Sequence, residues 1–174
     1  MNKLTLTHED LDKFKAIHSL ILPKRVKNYE HHMILNSTSS KNKQSLLIIQ
    51  PIVSKSLEIF KQLGIHNIDD TTFGVEFHQL NSGFGKEKQI SPFTWHIDDN
   101  AAVSYKVYTI IYYLRKDITI KGGDFQYEIN DIELKHIVCS GDVLCFKGDI
   151  SHIPEPSSGF GCRDIICVFI KRTQ

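Results

Sequence analysis

The C-terminal part of the chain is built from short β-type runs, and this pattern limits the fold more than any other feature of the sequence. From Thr72 onward, runs rich in β-branched and aromatic residues are separated by glycines and charged turns, without a helical period. Several strands without intervening helices predict an all-β core. The six runs are TFGVEFHQL, SYKVYTIIYYL, GGDFQYEI, IELKHIV, GDVLCFK and CRDIICVFIK.

Two helical segments precede these runs. The first extends from about residue 8 to 21, and Thr7 with Asp10 resembles a capping box at its start. The second, VSKSLEIFKQLG, has one apolar face and ends at Gly64. The polar stretch NSTSSKNKQ, residues 36–44, is typical of a surface loop. Helices packed on a β core would cover one sheet face, which leaves the other face or a barrel mouth for chemistry.

Size and charge disfavour some classes of protein. A chain of 174 residues fits one domain, 1–174, with a helical part at about 1–70 and a β core at about 72–172. Its 21 Lys and Arg against 20 Asp and Glu give no strong electrostatic reason to expect a nucleic acid or a membrane as partner. Without a signal peptide or a bilayer-spanning run, we expect a cytoplasmic protein. We expect reduced thiols at Cys139, Cys145, Cys162 and Cys167.

The stretch FTWHIDDN, residues 93–100, contains a histidine and an aspartate two positions apart. If this segment is extended, His96 and Asp98 project to the same side and could bind one metal ion. The pair could equally lie in a solvated turn, so a third ligand is needed. His152, in KGDISHIPEP, is the candidate, although alone it could be an ordinary loop histidine. Two imidazoles and one carboxylate are typical of ferrous sites that keep open coordination positions.

Arg163 follows His152 after a Pro- and Gly-containing turn region. This order could bring both residues into one cavity on adjacent antiparallel strands. A buried arginine needs a carboxylate partner, which could belong to a ligand or to the protein itself. Thr109 and Tyr113 lie on one face of the earlier run SYKVYTIIYYL. Hydroxyls on this face would suit either a polar cavity or a hydrated sheet surface. The same face carries Tyr105, Val107 and Ile111.

The order His96-x-Asp98, His152, Arg163 resembles the iron(II)- and 2-oxoglutarate-dependent dioxygenases. The stretch KVYTIIYYLRKDITIKGGDFQYE is similar to the corresponding part of the prolyl hydroxylase branch. The resemblance covers about residues 72–172 and implies a double-stranded β-helix, a jelly-roll or cupin-like core with the N-terminal helices on one sheet. It implies that His96, Asp98 and His152 are the metal ligands and catalytic residues. It also implies that Arg163, Tyr113 and Thr109 bind 2-oxoglutarate.

The resemblance further implies a hydroxylase that uses Fe(II), 2-oxoglutarate and O2 and releases succinate and CO2, with ascorbate as an optional further cofactor. A peptide or protein side chain is the expected substrate. A small molecule stays open, as does a nucleic acid, although Phe169 stands where AlkB-type demethylases have a second arginine. A cupin-like metal-binding module without oxygenase activity is the remaining alternative, and Arg163 together with Tyr113 argues against it.

Two features depart from the family pattern. Phe77 or His78 stands roughly where prolyl hydroxylases often carry a tyrosine, so that role is not transferred. Residues 81–94 are charged and contain glycine, and they could form either a lid over the site or an ordinary hairpin loop.

Overall fold

The computed structural model describes residues 1–22, 30–37, 43–82, 94–99, 106–155 and 157–173. The predicted lid at 81–94 lies almost entirely outside these residues. Within them, strands alternate with two helices near the N-terminus, and only strands follow. The elements are β1 (Asn2–Thr5), α1 (His8–Ile21), β2 (Glu30–Asn36), α2 (Lys43–Gln62), β3 (Ile68–Ser82), β4 (Val107–Lys116), β5 (Ile120–Gly122), β6 (Phe125–Ile129), β7 (Ile132–His136), β8 (Asp142–Lys147), β9 (His152–Pro154), β10 (Ser157–Gly159) and β11 (Gly161–Arg172).

The strands form one large and two small antiparallel sheets. The large sheet has the order β1-β8-β4-β11-β3-β2, and the small sheets are β7-β6-β9 and β10-β5. All six predicted runs are strands, which confirms the β core. The edge strands β1 and β2 were not predicted, and they extend the large sheet on both sides with residues from the part of the chain that was expected to be helical.

The alternation of side chains along β4 separates two apolar clusters. Tyr108, Ile110, Tyr112 and Leu114 pack with residues of the helices. The alternate positions of β4 belong to an inner cluster that also contains side chains of β6, β8 and β11. The prediction that the helices cover one sheet face is therefore confirmed, while Tyr105 lies outside the described residues. The inner β4 residues of this second cluster are Val107, Ile111 and Tyr113.

The helical layer begins as predicted but extends further. The Thr7 hydroxyl accepts a hydrogen bond from the Asp10 backbone N–H at 3.1 Å, which caps α1. Helix α2 starts at Lys43, well before the predicted segment, because apolar residues such as Ile49 continue its buried face on the N-terminal side of Pro51. The helix ends before Gly64, whose φ of +70° suits glycine at this position.

The two layers of strands enclose the inner cluster, as in a jelly roll. Phe125 of β6, in a small sheet, packs against Phe146 of β8, in the large sheet, with ring centroids 5.2 Å apart. This contact joins the two layers and leaves one end of the interior for a site. Among the described residues, no helix is both long and apolar enough to cross a membrane.

Candidate active site

Three predicted ligands meet at one end of the inner cluster. One ligand atom each from His96, Asp98 and His152 lies within 4.8 Å of the other two. Asp98 Oδ1 is 3.8 Å from His96 Nε2 and 3.7 Å from His152 Nε2. The two imidazole centroids are 4.3 Å apart. One ion could therefore contact both rings and the carboxylate.

Backbone contacts hold the His96–Asp98 segment against the chain that precedes His152. His96 and His152 exchange N–H to C=O hydrogen bonds of 3.0 and 2.9 Å, which form a single antiparallel bridge. The N–H groups of Asp98 and Asp99 then both donate to the Gly148 carbonyl. The segment is thus a bridge followed by a turn rather than an extended strand. Both side chains nevertheless point to the same place.

Gly148 permits this close approach. A Cβ added at Gly148 would lie 2.6 Å from Asp99 Oδ1 and 2.6 Å from a methyl carbon of Val107. Asp99 Oδ1 also accepts the Val107 N–H at 2.8 Å, and Arg172 lies 3.7 Å from Asp99 Oδ2. Asp99 therefore fixes the turn to β4.

Both histidines present the same nitrogen to Asp98. His96 Nδ1 lies 2.8 Å from the Thr94 carbonyl, and His152 Nδ1 lies 3.0 Å from the Ile150 carbonyl. A carbonyl only accepts hydrogen bonds, so each Nδ1 carries the proton and a neutral ring keeps its lone pair on Nε2. This is the arrangement in which metal-binding histidines are oriented by a backbone carbonyl.

Asp98 uses its two oxygens differently. Its Oδ2 accepts a hydrogen bond of 2.6 Å from the Thr109 hydroxyl, while Oδ1 faces the two Nε2 atoms. Thr109 was expected to bind 2-oxoglutarate together with Arg163. In the structure its hydroxyl instead orients the carboxylate of a predicted metal ligand.

Burial makes this cluster suitable for a cation. Burial raises the pKa of Asp98, against the opposing effect of His152, and lowers the pKa of His152, against the opposing effect of Asp98. The rings of Phe125 and Phe146 lie 5.1 and 5.0 Å from that of His152. A neutral histidine and a desolvated carboxylate both favour binding of a divalent cation, so the residues fit Fe(II).

The predicted carboxylate-binding residues are also buried. Arg163 is 5% exposed, and its Nη1 donates to the Gly123 carbonyl at 3.2 Å. Among the described residues, no carboxylate lies within ion-pairing distance of it. Tyr113 is also buried, which raises its pKa, and Arg163 opposes that rise. The structure thus leaves a buried cation beside a buried phenol.

Arg163 and His152 were expected on adjacent strands, and this expectation was wrong. Arg163 is on β11, which pairs with β3 and β4 in the large sheet. His152 begins β9, which pairs with β6 in a small sheet. The two residues therefore approach the interior from opposite layers, because the turn between them crosses from one layer to the other.

Strand β3 contains Phe77 and His78, whose roles could not be assigned from the sequence. Phe77 packs in the helix-side cluster, so it does not face the interior. Glu76 and His78 are register partners of Cys167 and Ile165, which belong to the inner cluster. His78 Nε2 is 3.1 Å from Glu76 Oε2. Of Phe77 and His78, His78 is therefore the one that lies on the interior side of β3.

Two further polar features had no signal in the sequence. Glycine pairs usually mark turns, and Gly123 indeed has a φ of +69°, but its carbonyl also binds Arg163. Ser157 on β10 is 1% exposed, and its hydroxyl has no hydrogen-bond partner among the described residues. The contact between Gly123 and Arg163, 40 residues apart in sequence, can be recognised only in the folded chain.

Comparison with known proteins shows similarity at the level of structure. No protein-family model matches the chain, and no curated protein matches it. A prolyl-4-hydroxylase from Pseudomonas putida has a TM-score of 0.62 at 13% identity, over 99% of this chain and 92% of that one. A prolyl hydroxylase from Trichoplax adhaerens, in complex with a hypoxia inducible factor oxygen degradation domain peptide fragment, has a TM-score of 0.64 at 13% identity, over 98% and 83%.

An oxidoreductase of the 2OG-Fe(II) oxygenase family from Burkholderia pseudomallei is similar as well. Its TM-score is 0.63 at 11% identity, over 98% of this chain and 85% of that one. In each case nearly all of this chain is superimposed, including the N-terminal helices. The chain therefore has the jelly-roll fold of the prolyl hydroxylases and of the 2OG-Fe(II) oxygenase family.

Proposed function

We propose that this protein is an Fe(II)- and 2-oxoglutarate-dependent dioxygenase that hydroxylates a C–H bond of its substrate and releases succinate and CO2. One observation carries the proposal: the same interior contains a His-Asp-His cluster and a buried arginine without a carboxylate partner among the described residues. A metal-binding module would need the cluster alone. The arginine adds a site for an anionic co-substrate.

The chain's own residues would divide the work as follows. Nε2 of His96 and of His152, with Oδ1 of Asp98, would hold the metal on one side. The Thr109 hydroxyl keeps Asp98 in the orientation that presents Oδ1. Arg163 and Tyr113 would bind the distal carboxylate of 2-oxoglutarate. When bound, Fe(II) supplies the activation of O2 that couples decarboxylation of 2-oxoglutarate to hydroxylation of the substrate.

The test is an anaerobic titration. Fe(II) and then 2-oxoglutarate are added to the purified protein, and the visible charge-transfer band of the chelated keto acid is followed. We expect a saturable band that His152→Ala abolishes, with His66→Ala as the control, because His66 lies between α2 and β3, away from the cluster. A folded protein that binds metal without giving a band would contradict the proposal and favour a cupin-like binding module.

We propose a peptide or protein side chain as the substrate. The site is more open on the side of His96, whose side chain is 31% exposed, than on that of His152, at 5%. Trp95 and Ile97 flank His96 and are both exposed. An exposed aromatic and an aliphatic side chain next to the predicted metal ligand suit a polypeptide that lies across the opening. Phe169, where AlkB-type demethylases have an arginine, is buried among apolar residues, which disfavours a nucleic acid.

A peptide substrate should depend on Trp95. Proline-containing peptides are incubated with Fe(II), 2-oxoglutarate and ascorbate, and mass spectrometry detects the gain of one oxygen atom. For a peptide that is hydroxylated, Trp95→Ala should raise the KM by roughly tenfold, as expected for loss of an aromatic contact residue. Leu47→Ala is the control, since Leu47 is exposed on α2. Hydroxylation of free amino acids but of no peptide would contradict this substrate class.

A further inference from the structure

Ser157 carries a buried hydroxyl that no described residue hydrogen-bonds. The residue is 1% exposed, and its Oγ has no partner in the part of the chain that the structure describes. Native proteins rarely keep such a group, because a buried hydroxyl that has lost its water and gained no partner is destabilising. A hydroxyl that is retained under these conditions needs an explanation, and binding of a ligand is one that can be tested.

The position of Ser157 relates it to Arg163. Ser157 pairs with Gly122 across β10 and β5, next to Gly123. A Cβ added at Gly123 would lie 3.3 Å from Ser157 Cβ and 3.2 Å from Arg163 Nη1. The serine and the guanidinium therefore both pack against Gly123, where even one added methyl group would be crowded, so the two side chains lie close together.

Arg163, which lies beside Ser157, has few partners of its own. Arg163 makes one hydrogen bond, to the Gly123 carbonyl, and has no ion pair within the described parts of the chain. Tyr113 is buried and close enough for Arg163 to affect its pKa. A guanidinium, a phenol and a serine hydroxyl can all donate hydrogen bonds, and a carboxylate accepts several. A single carboxylate would therefore satisfy all three donors.

We propose that the Ser157 hydroxyl donates a hydrogen bond to the distal carboxylate of 2-oxoglutarate, beside Arg163 and Tyr113. This inference rests on the proposed function and adds a residue to its co-substrate site. It makes Ser157 a determinant of specificity for 2-oxo acids with a second carboxylate. It also gives the buried Ser157 hydroxyl a hydrogen-bond partner, which none of the described residues supplies.

The test is Ser157→Ala, with affinity for the co-substrate as the measurement. The charge-transfer band of the Fe(II) protein is titrated anaerobically with 2-oxoglutarate and with 2-oxovalerate, which has a methyl group in place of the distal carboxylate. We expect Ser157→Ala to weaken 2-oxoglutarate binding by about tenfold or more, as for loss of a hydrogen bond to a charged group. Affinity for 2-oxovalerate should not change. The control is Ser158→Ala, because Ser158 follows on the same strand and faces the other side.

The thermal stability of the apo protein gives a second measurement. Removal of an unsatisfied buried hydroxyl should leave the Tm of the apo protein equal or slightly higher, while affinity for 2-oxoglutarate falls. A purely structural serine would lower the Tm and weaken both keto acids, and that result would overturn the inference. Unchanged 2-oxoglutarate affinity in Ser157→Ala, with weakened affinity in Arg163→Met, would overturn the inference alone. A wild-type protein that gives no band would overturn the proposed function and this inference with it.

Discussion

An Asp98→Ala variant is expected to lose Fe(II)-dependent turnover of 2-oxoglutarate by more than about 100-fold. The Oδ1 atom of Asp98 lies 3.8 Å from His96 Nε2 and 3.7 Å from His152 Nε2, so the carboxylate joins both histidines into one cluster. Mutation of outer-shell partners typically costs about 10–100-fold in metal affinity or activity, and loss of a ligand should exceed that range. Succinate formation against Fe(II) concentration is the measurement. Normal turnover in the variant would contradict the assignment of the three ligands.

Three other variants test whether this result is specific to Asp98. Thr109→Val removes the hydroxyl that bonds Asp98 Oδ2 with little change in shape, so its loss should stay within about 10–100-fold. Thr109→Ser should retain most of the activity. Asp149→Ala is the matched control: Asp149 is a half-exposed carboxylate on the loop before His152, and it pairs with Arg172 at 3.1 Å. A Thr109→Val defect as large as that of Asp98→Ala would show that Thr109 does more than orient the carboxylate.

The local patterns in the sequence were sufficient to predict the β core. Each of the six runs became a strand because its β-branched and aromatic residues fill the two faces of a pleated sheet. The alternation along β4 predicted which residues face the interior, and Tyr113 and Tyr112 indeed belong to different clusters. Helix α1 was predicted with its cap, since Thr7 and Asp10 interact within a single turn.

Features that depend on tertiary contacts could not be predicted in this way. The edge strand β1 is short and mostly exposed, so it has no strong hydrophobic pattern. The crossing of the chain between His152 and Arg163 depends on β9 pairing with β6, which no local pattern encodes. The contact of Thr109 with Asp98 and the burial of the Ser157 hydroxyl likewise arise only when distant segments meet.

An Arg163→Met variant is expected to raise the KM for 2-oxoglutarate by about 30-fold or more, with Fe(II) affinity close to that of the wild type. Removing one partner of a buried, hydrogen-bonded charge pair costs roughly 2–5 kcal/mol, which is about 30-fold at its lower limit. Metal binding should persist, because the Arg163 guanidinium bonds the Gly123 carbonyl and none of the three predicted ligands. The measurements are succinate formation against 2-oxoglutarate concentration and a separate Fe(II) titration.

A comparison with 2-oxovalerate, the keto acid that lacks the distal carboxylate, shows what causes this change in KM. If Arg163 binds that carboxylate, Arg163→Met should bind 2-oxovalerate as well as the wild type does, so the difference between the two keto acids should shrink. Arg115→Met is the control, because Arg115 already pairs with Asp117 at the surface, 2.6 Å away. A variant that lost iron but kept its affinity for 2-oxoglutarate would show that the co-substrate carboxylate binds elsewhere. Asp98→Ala should instead weaken both keto acids, since each of them needs the metal.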